Sequence, residues 1–152
     1  MSVVTIYGSK QSTCVRRTAA ILKAVGQPYV VKELDWAKGE YKTPEHYSRH
    51  PFGRMPVIEF EGLTLYGAPI VVKRRAATDC RTESRAIARY FALRAKSPLV
   101  PNPNDLNEVA LFEQGASVEV CDFDPPASGL GGEKVFAPLV LIISFRPHVT
   151  NT

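Results

Sequence analysis

A serine, a threonine and a cysteine stand side by side in the segment YGSKQSTCVRR, near the start of this 152-residue chain. Residues 3–7 are rich in β-forming side chains and are followed by Gly8, which predicts a strand and a turn. Ser12 and Thr13 come next, where apolar residues begin to recur at helical spacing, so either hydroxyl can cap the new helix. An anion placed there would also gain from the positive end of the helix dipole. Cys14 falls in the first turn, a position at which the pKa of a thiol can be lowered.

The other residues able to bind a metal or form disulfides are dispersed. The chain has three cysteines, with long spacings and no CxxC pair, and its three histidines form no metal-like cluster with them. Neither a zinc site nor a disulfide framework is therefore expected. A reducing compartment fits this cysteine usage best.

Charge and hydropathy narrow the class of protein further. The net charge is +4, and the basic residues are spread along the chain apart from Arg16-Arg17 and residues 73–75. Nucleic-acid binders cluster such charge on one face or arm, so no nucleic-acid partner is expected. The N-terminal segment lacks the basic start and apolar core of a signal peptide, and the longest apolar run, residues 139–143, is too short to cross a bilayer. We therefore expect a soluble, cytoplasmic protein without a membrane partner.

The elements that must position these side chains follow the order β-α-β-α-β-β-α. The connection between the first two strands is long enough for a parallel crossover, whereas the third and fourth strands are joined by Glu61-Gly62 and must form an antiparallel hairpin. A polar loop is expected over residues 35–43. Strands are predicted at residues 3–7, 29–34, 57–60 and 63–66, and helices over residues 15–25, from Pro44 and over residues 83–94.

The second half of the chain predicts helices after a linker. Residues 98–103 are proline-rich and form a natural boundary, after which Asn104 or Asp105 can cap a new helix. Residues 124–132 are rich in proline and glycine and predict a loop. Another short helix is expected from Glu133.

Four stretches of the chain, in this order, resemble a cytosolic glutathione transferase of the phi class, especially its fungal branch. They read YGSKQSTCVRR, KGEYKTPEHYSRHPFGRMPVIEF, ESRAIARYFALR and ALFEQGASVEV…FDPPASGL…EKVFAP, and they cover nearly everything except residues 67–82 and 139–152. The resemblance implies an α/β fold, a thioredoxin-like N-terminal domain followed by an incomplete all-helical C-terminal domain. Residues 1–96 would then form the glutathione-binding domain, 97–103 the linker and 104–138 a partial helical domain, with residues 139–152 a tail outside the family pattern.

The resemblance also implies a reaction. Family members join the thiolate of glutathione to a small electrophile or use it to reduce a peroxide, so glutathione is the expected co-substrate and no metal is expected. Ser12 matches the phi-class catalytic serine, which stabilises the thiolate by a hydrogen bond. Lowering the pKa of a thiol by about two units takes roughly 2.7 kcal/mol, and one hydrogen bond to a charged group is worth about 1.5–3 kcal/mol. The alternative is that Thr13 donates the hydrogen bond to the thiolate and Ser12 only caps the helix. Cys14 is expected to be a small, partly buried neighbour of this site.

Further residues match the glutathione-binding positions of the family. Met55 precedes the family's cis-proline, here Pro56, and its backbone would pair with the cysteinyl part of glutathione like an added strand. Glu83 and Ser84 match the pair that holds the γ-glutamyl end. The Glu83 carboxylate would face the ammonium group of the γ-glutamyl residue. The Ser84 hydroxyl and the helix N-terminus would bind the carboxylate of that same residue. The alternative is that Glu83 and Ser84 only cap the start of the helix and bind no ligand.

Two positions depart from the usual family pattern. Tyr41 stands where many relatives have histidine, and Arg54 stands where many have glutamine, both near the glycyl or backbone part of glutathione. Arg54 can still pair with a carboxylate, and Tyr41 can donate a hydrogen bond without bringing charge. Both residues are therefore candidate glutathione-binding residues.

Two segments interrupt the resemblance. Residues 67–82 separate Tyr66 from Glu83, which are adjacent in the family pattern. They are interpreted either as a translated intron or as a genuine surface loop with a basic docking patch, since loops tolerate insertions well. After residue 138 an apolar, β-rich tail stands in place of the helices that would complete the electrophile pocket.

Three hypotheses about function follow. The first is a glutathione transferase, homodimeric as family members usually are. The second is an inactive truncated or mis-spliced product of a transferase gene, and the third is a non-catalytic thioredoxin-fold binding or regulatory module. An intact geometry at Glu83-Ser84 favours the active transferase, and displacement of that pair favours the inactive product. A partner surface on residues 67–82 favours the binding or regulatory module.

Overall fold

The computed structural model describes residues 2–66 and 83–137. The chain divides into two compact units, Met1–Pro103 and Asn104–Thr152. The predictions for residues 67–82 and for residues 139–152 lie outside the described residues.

Four short strands form the sheet of the first unit: β1 (Val4–Tyr7), β2 (Tyr29–Lys32), β3 (Val57–Phe60) and β4 (Leu63–Tyr66). Their order in the sheet is β2-β1-β3-β4, with β1 and β2 parallel and the other pairs antiparallel. Glu61 and Gly62 join β3 to β4, and their φ angles of 49° and 79° suit the tight turn of a two-residue hairpin. The four predicted strands and the hairpin are thereby confirmed.

In the described part of the first unit three α-helices accompany the sheet: α1 (Thr13–Ala24), α2 (Pro44–Arg49) and α3 (Glu83–Arg94). α1 begins directly after Ser12 and stops before Gly26, whose φ of 69° is typical of a glycine that ends a helix. α2 begins with a proline, which loses no helical hydrogen bond at that position, and the Thr43 hydroxyl accepts from the His46 N–H. The sequence predicts all three helices, whereas the 3-10 turn Glu40–Lys42 lies in a stretch predicted as loop.

The hydrophobic core of the first unit lies between the sheet and the helices α1 and α3. Alternate residues of β1 and β3 point to this side, because successive side chains of a strand face opposite ways. Phe60 and Phe91 meet edge to face, with ring centroids 5.3 Å apart, and each buried side chain of this size stabilises the fold by about 1.5–3 kcal/mol. The core residues, each at most 3% exposed, are Val4, Ile6, Val15, Leu22, Ile58, Phe60, Ile87 and Phe91.

A polar cluster holds α2 beside the strands. Arg49 Nε donates to Glu59 Oε1 at 3.2 Å, and Glu59 Oε2 accepts from the Tyr7 hydroxyl at 2.8 Å. The guanidinium carbon of Arg49 also lies 4.5 Å from the centroid of the Tyr7 ring, within cation–π range. Because Tyr7 belongs to β1 and Glu59 to β3, these contacts fix α2 and the loop that leads from it to β3.

The second unit is helical. It contains α4 (Leu106–Val118), α5 (Asp124–Gly131) and two π-helical turns, Glu119–Phe123 and Gly132–Phe136. Asp105 caps α4, and its Oδ1 accepts from the N–H groups of Asn107 and Glu108 at 3.0 and 3.2 Å. The predicted start of this helix is thereby confirmed.

The prediction of a loop over residues 124–132 is wrong, because α5 occupies most of this stretch. Pro125 and Pro126 stand in its first turn, where backbone N–H groups have no helical acceptor, so the missing donors are tolerated. Asp124 leads the helix and is 8% exposed, and its Oδ1 accepts from the Ser128 hydroxyl at 3.2 Å. Proline composition was misleading because proline breaks a helix in its interior and not at its start.

The fold class agrees with the prediction. A parallel β1-α1-β2 unit is joined through α2 to an antiparallel hairpin, which is the thioredoxin-like arrangement, and a helical C-terminal part follows. Among the helices within residues 2–66 and 83–137, none is long and apolar enough to cross a membrane.

Candidate functional site

The end of β1 and the start of β3 bring two loops together. The last residue of β1 pairs with the first residue of β3, so the residues after β1 lie beside those before β3. Gly8 has no room for a side chain, since a Cβ there would lie 2.6 Å from Val15 Cγ2 and 3.3 Å from Met55 Cβ. The Ser9 N–H donates to the Met55 sulfur at 3.2 Å. Met55 therefore packs directly against the loop that leads into α1.

The Met55-Pro56 peptide bond is cis, as the family resemblance implies. Pro56 is less than 2% exposed, whereas Met55 is half-buried. Both residues lie where the loop from α2 enters β3, next to the loop that precedes α1.

Ser12 occupies the N-cap position of α1. Its backbone is extended, with φ −67° and ψ 127°, and its carbonyl oxygen accepts from the Arg16 N–H at 3.0 Å. Its hydroxyl makes no capping hydrogen bond, and the first turn of the helix contains no acidic residue. This arrangement suits an anion, which can accept hydrogen bonds from the Ser12 hydroxyl and from the leading N–H groups of α1.

Thr13 and Cys14 follow in the first turn of α1. Thr13 is exposed. Cys14 is 4% exposed and is disulfide-bonded, so the expectation of unpaired cysteines does not hold at this position. In this state Cys14 presents no thiol to the site.

A second cluster of candidate residues lies where α2 leads into β3. Tyr41, in the 3-10 turn, places its carbonyl oxygen 3.1 Å from the position of a Cβ on Gly53, and the nearest atom of the Tyr47 ring lies 2.7 Å from that position. Gly53 has φ 55°, so a side chain here would be strained as well as crowded. Arg54 follows directly and is half-buried. The structure thus brings Tyr41 and the Gly53-Arg54 backbone to one place.

His46 holds the backbone of this second cluster. Its Nε2 lies 2.6 Å from the carbonyl oxygen of Arg54, and because a carbonyl can only accept, this nitrogen carries the proton. His46 is 2% exposed, and its Nδ1 has no partner within the described part of the chain. The His46 side chain therefore ties α2 to the residue that precedes Met55.

His50 lies one turn further along the chain and is fully buried. Its Nδ1 accepts from the Phe52 N–H at 3.3 Å, and its ring centroid lies 6.2 Å from that of His46. Burial lowers the pKa of His50 to about 4, and the nearby His46 and Arg54 lower it in the same direction. A neutral His50 is therefore part of the folded state at neutral pH.

Lys42 supplies a cation to the second cluster and was not predicted from the sequence. Its Nζ lies 5.2 Å from the ring centroid of Tyr41 and 5.9 Å from that of Tyr47, within cation–π range of both. Its side chain is exposed. The signal that points to Lys42 is its position next to Tyr41 in a polar segment.

Ser84 lies at the start of α3 and is fully buried. Its hydroxyl oxygen accepts from Arg17 Nη1 at 2.8 Å, so the start of α3 is linked to the second turn of α1. Glu83 is the first residue of α3, and its side chain lies outside the described part of the structure. Arg17 was not predicted, because nothing in the sequence distinguishes it from the neighbouring Arg16.

Comparison with known proteins identifies the family. Residues 2–92 match the family model of the glutathione S-transferase N-terminal domain. Glutathione S-transferase PM239X14 of Arabidopsis thaliana is 40% identical over 141 residues, which cover 90% of this chain and 57% of that protein. Glutathione S-transferase hmp2 of Hypomyces subiculosus is 33% identical over 135 residues, covering 88% of this chain and 55% of that protein. The chain belongs to the glutathione S-transferase family.

Solved structures of family members share the fold. Glutathione transferase F7 from Populus trichocarpa superposes with a TM-score of 0.73 at 27% identity, over 90% of this chain and 58% of that protein. A glutathione S-transferase-I bound with lactoylglutathione gives a TM-score of 0.73 at 26% identity, over 90% of this chain and 57% of that protein. The chain thus spans a little more than half the length of these relatives. The predicted resemblance to phi-class transferases is confirmed. Relatives from a plant and from a fungus both match, so the assignment to the fungal branch stays a prediction.

Proposed function

We propose that this chain binds glutathione at the N-terminus of α1 and holds its sulfur as the thiolate, with the Ser12 hydroxyl as the hydrogen-bond donor. The observation that carries the proposal is that Ser12 stands at the N-cap of α1 while its hydroxyl makes no bond to the helix. An N-cap serine that served the helix alone would accept from a backbone N–H of the first turn. If Ser12 were only a helix cap, its hydroxyl would be expected to accept such a hydrogen bond, and it does not.

The energies involved suit this role. The pKa of an unperturbed thiol is about 8.5, so most free glutathione is protonated at neutral pH. Lowering that pKa by about two units requires roughly 2.7 kcal/mol of preference for the anion. A hydrogen bond to a charged group is worth about 1.5–3 kcal/mol, and the helix dipole adds about 0.3–1 kcal/mol. No carboxylate on the first turn of α1 opposes the thiolate.

The cysteinyl and γ-glutamyl parts of glutathione are assigned to the two sides of α1. Met55, which packs against the loop before α1, would pair its backbone with the cysteinyl backbone as an added strand does. The γ-glutamyl end is assigned to the start of α3, where Glu83 and Ser84 lie and the leading N–H groups of the helix favour a carboxylate. The contact between Arg17 and Ser84 supports this assignment, since it brings the start of α3 to α1.

The glycyl carboxylate is assigned to the cluster of Tyr41, Lys42 and Arg54. A guanidinium can bind a carboxylate through two parallel hydrogen bonds, a lysine adds a point charge and a phenol adds one neutral donor. Lys42 is exposed, so its contribution is expected to be small and sensitive to salt.

The thiolate formed in this way can serve two reactions. With an electrophilic carbon, a sulfur lone pair forms the carbon–sulfur bond while the leaving group departs with its electron pair. With a peroxide, the sulfur attacks one oxygen and an alcohol leaves, after which a second glutathione displaces water from the oxidised sulfur to give the disulfide. Family members of known structure are bound with lactoylglutathione and in complex with an atrazine glutathione conjugate, which supports conjugation as the first reaction to assay.

The remaining expectations follow from the family. We propose a small electrophilic or peroxide substrate beside glutathione, a homodimer and a cytoplasmic location. The dispersed basic residues support the absence of a nucleic-acid partner.

Titration with glutathione tests the proposed function. Ultraviolet absorbance of the thiolate, followed against pH, gives the pKa of the bound thiol. Ser12→Ala is expected to raise that pKa by about 1–2, because it removes one hydrogen bond worth about 1.5–3 kcal/mol. The affinity for S-methylglutathione, which has no thiol to ionise, should stay unchanged. Thr13→Ala, the neighbouring hydroxyl, is the matched variant and should leave the pKa unchanged.

Other outcomes have distinct meanings. If Thr13→Ala raises the pKa and Ser12→Ala does not, the donor is Thr13. Binding of glutathione with an unshifted thiol pKa supports a non-catalytic glutathione-binding module. The absence of saturable binding at millimolar glutathione would overturn the proposal.

A further inference from the structure

We infer that one buried water molecule links His46 to His50, and that it completes the set of hydrogen bonds that holds the turn between α2 and β3. The inference goes beyond the proposed function and does not depend on it, because it involves no contact with glutathione. It starts from two buried ring nitrogens, His46 Nδ1 and His50 Nε2, which have no hydrogen-bond partner within the described part of the chain.

The two histidines bind three backbone groups of this turn. The His50 carbonyl oxygen accepts from the Gly53 N–H at 2.8 Å, and His50 Nδ1 accepts from the Phe52 N–H at 3.3 Å. His46 Nε2 donates to the Arg54 carbonyl oxygen at 2.6 Å. The path of the chain from the end of α2 towards β3 therefore depends on how these two rings are held.

The contact of one ring nitrogen determines what the other nitrogen can do. Because His50 Nδ1 accepts a hydrogen bond, the proton of the neutral His50 ring is on Nε2, which is then a buried donor. Because His46 Nε2 donates to a carbonyl, Nδ1 is the nitrogen of that ring that needs a partner. An unpaired buried polar group shifts the folding equilibrium about 5- to 150-fold towards the unfolded state, so a small polar molecule is expected to bind both nitrogens.

Water is the ligand that suits both nitrogens. A water molecule can accept a hydrogen bond from His50 Nε2 and pair with His46 Nδ1 at the same time, and buried waters usually make about three hydrogen bonds. The ring centroids are 6.2 Å apart, and two hydrogen bonds of about 2.9 Å span at most about 5.8 Å between nitrogens, so one molecule can reach both rings. A metal ion would instead need a lone pair on each nitrogen, and His50 Nε2 carries a proton.

The surroundings of the two rings separate such a water from bulk solvent. His46 is 2% exposed and His50 is 0% exposed. The rings of Phe52 and Tyr66 lie against His50, with centroids 6.0 and 5.0 Å from its own. A water bound here would exchange slowly and would be part of the folded structure.

Nuclear magnetic resonance of the full chain at neutral pH tests the inference directly. Proton–nitrogen correlation spectra of the imidazole rings identify the protonated nitrogen, which is expected to be Nε2 in His50. This proton should show a nuclear Overhauser effect to a long-lived bound water, and the sign of the peak in the rotating frame distinguishes it from chemical exchange. A His50 proton on Nδ1, an Nε2 proton that exchanges too fast to observe, or one without a peak to water would each overturn the inference.

Two variants each remove one water-facing nitrogen and keep the contact with the turn. In His46→Gln the amide nitrogen can still donate to the Arg54 carbonyl oxygen, and in His50→Asn the amide oxygen can still accept from the Phe52 N–H. His46→Gln should weaken the water peak of His50, and each variant should raise the equilibrium constant of unfolding about 5- to 100-fold. The double variant should raise it by about as much as one single variant, because neither nitrogen is then left without its partner.

Ser48→Ala is the matched control on the same helix. Ser48 is exposed and its hydroxyl donates to the Glu45 carbonyl oxygen at 2.7 Å, so the variant removes a polar group from α2 outside the histidine pair. It should leave the water peak unchanged and the unfolding constant nearly so. If the effects of His46→Gln and His50→Asn multiply in the double variant, the two nitrogens act independently and the inference is wrong. If a variant fails to fold, the measurement on the unmodified chain decides alone.

Discussion

The two units of the chain differ in what holds them together. In the first unit, the apolar core residues of the sheet, α1 and α3 are each at most 3% exposed. In the second unit no residue of α4 is buried, and Leu106 and Leu111 are 78% and 69% exposed. Among residues 104–134, Asp124 alone is buried. The first unit is therefore stabilised by tertiary packing, whereas α4 depends on its cap and on the helix propensity of its residues.

This contrast bears on function because a binding site needs a rigid support. Every residue proposed to contact glutathione belongs to the first unit, on or beside elements that the core fixes. The second unit instead carries several large apolar side chains on its surface. Those side chains are Leu106, Leu111, Val118, Phe123 and Leu130.

The largest expected difference between the units is in the free energy of unfolding that is lost when a leucine is replaced by alanine in each unit. Leu22 in α1 is 0% exposed and Leu111 in α4 is 69% exposed. Leu22→Ala is expected to lower the free energy of unfolding by about 2–5 kcal/mol, because it leaves a cavity in the core. Leu111→Ala should lower it by less than about 0.5 kcal/mol.

Urea unfolding measures this difference. Fluorescence of Trp36, the single tryptophan, reports the first unit, and far-ultraviolet circular dichroism reports the helices of both. Losses of similar size for the two variants would mean that α4 has a packed apolar face in solution, and the contrast between the units would disappear.

His50 is expected to make the packed unit sensitive to acid. Its pKa is about 4 in the folded chain, against an ordinary value of 6.5, so between these values the unfolded chain binds the proton more readily. The stability contributed by neutral His50 is fully present above the ordinary pKa and falls as the pH drops towards about 4, by on the order of 2–3 kcal/mol in total. The measurement is the urea unfolding free energy at several pH values across this window.

His50→Asn is the variant that isolates this effect. The asparagine Oδ1 can accept from the Phe52 N–H in place of Nδ1, and the side chain does not titrate in this range. The unmodified chain should lose more stability than His50→Asn as the pH falls, while other titrating groups act equally on both. Parallel profiles for the two proteins would show that His50 is not buried in its neutral form.

The smallest expected effects concern the helix caps. Asp105→Ala should destabilise α4 by about 1 kcal/mol, because it removes the acceptor for two backbone N–H groups. Ser12→Ala, at the same position of α1, should change the free energy of unfolding by less than about 0.5 kcal/mol, because the Ser12 hydroxyl makes no capping bond. Thermal unfolding followed by circular dichroism compares them. A larger loss for Ser12→Ala would indicate that its hydroxyl caps α1 and would also weaken the proposed function.

Local signals explain how much of the fold could be predicted. The hairpin follows from Glu61-Gly62 between two short apolar runs, and α2 follows from Pro44 after Thr43, because each signal acts within a few residues. The loop prediction for residues 124–132 is wrong because the position of a proline within a helix matters more than its presence. A helix that buries no apolar face shows only a weak helical spacing of apolar residues in its sequence. The sequence of α5 therefore gives little indication of a helix.

The site was predictable where a motif places its residues and not where distant residues meet. Ser12 and the cis Met55-Pro56 bond lie where the family pattern puts them. Arg17 and Ser84 are 67 residues apart in sequence, and their contact exists only because α1 and α3 pack on the same face of the sheet. The disulfide-bonded state of Cys14 was missed for a similar reason, since cysteine spacing does not reveal which side chains meet in space.

Gly8 links the packing of the core to the geometry of the proposed site. Val15 belongs to the core and Met55 to the site, and both crowd the point where a side chain on Gly8 would begin. A larger residue at this position would need a smaller one at position 15 or a shifted backbone at position 55. Selection for packing and selection for ligand geometry therefore act on the same three positions, and evolution can reshape this end of the site only by coordinated substitutions.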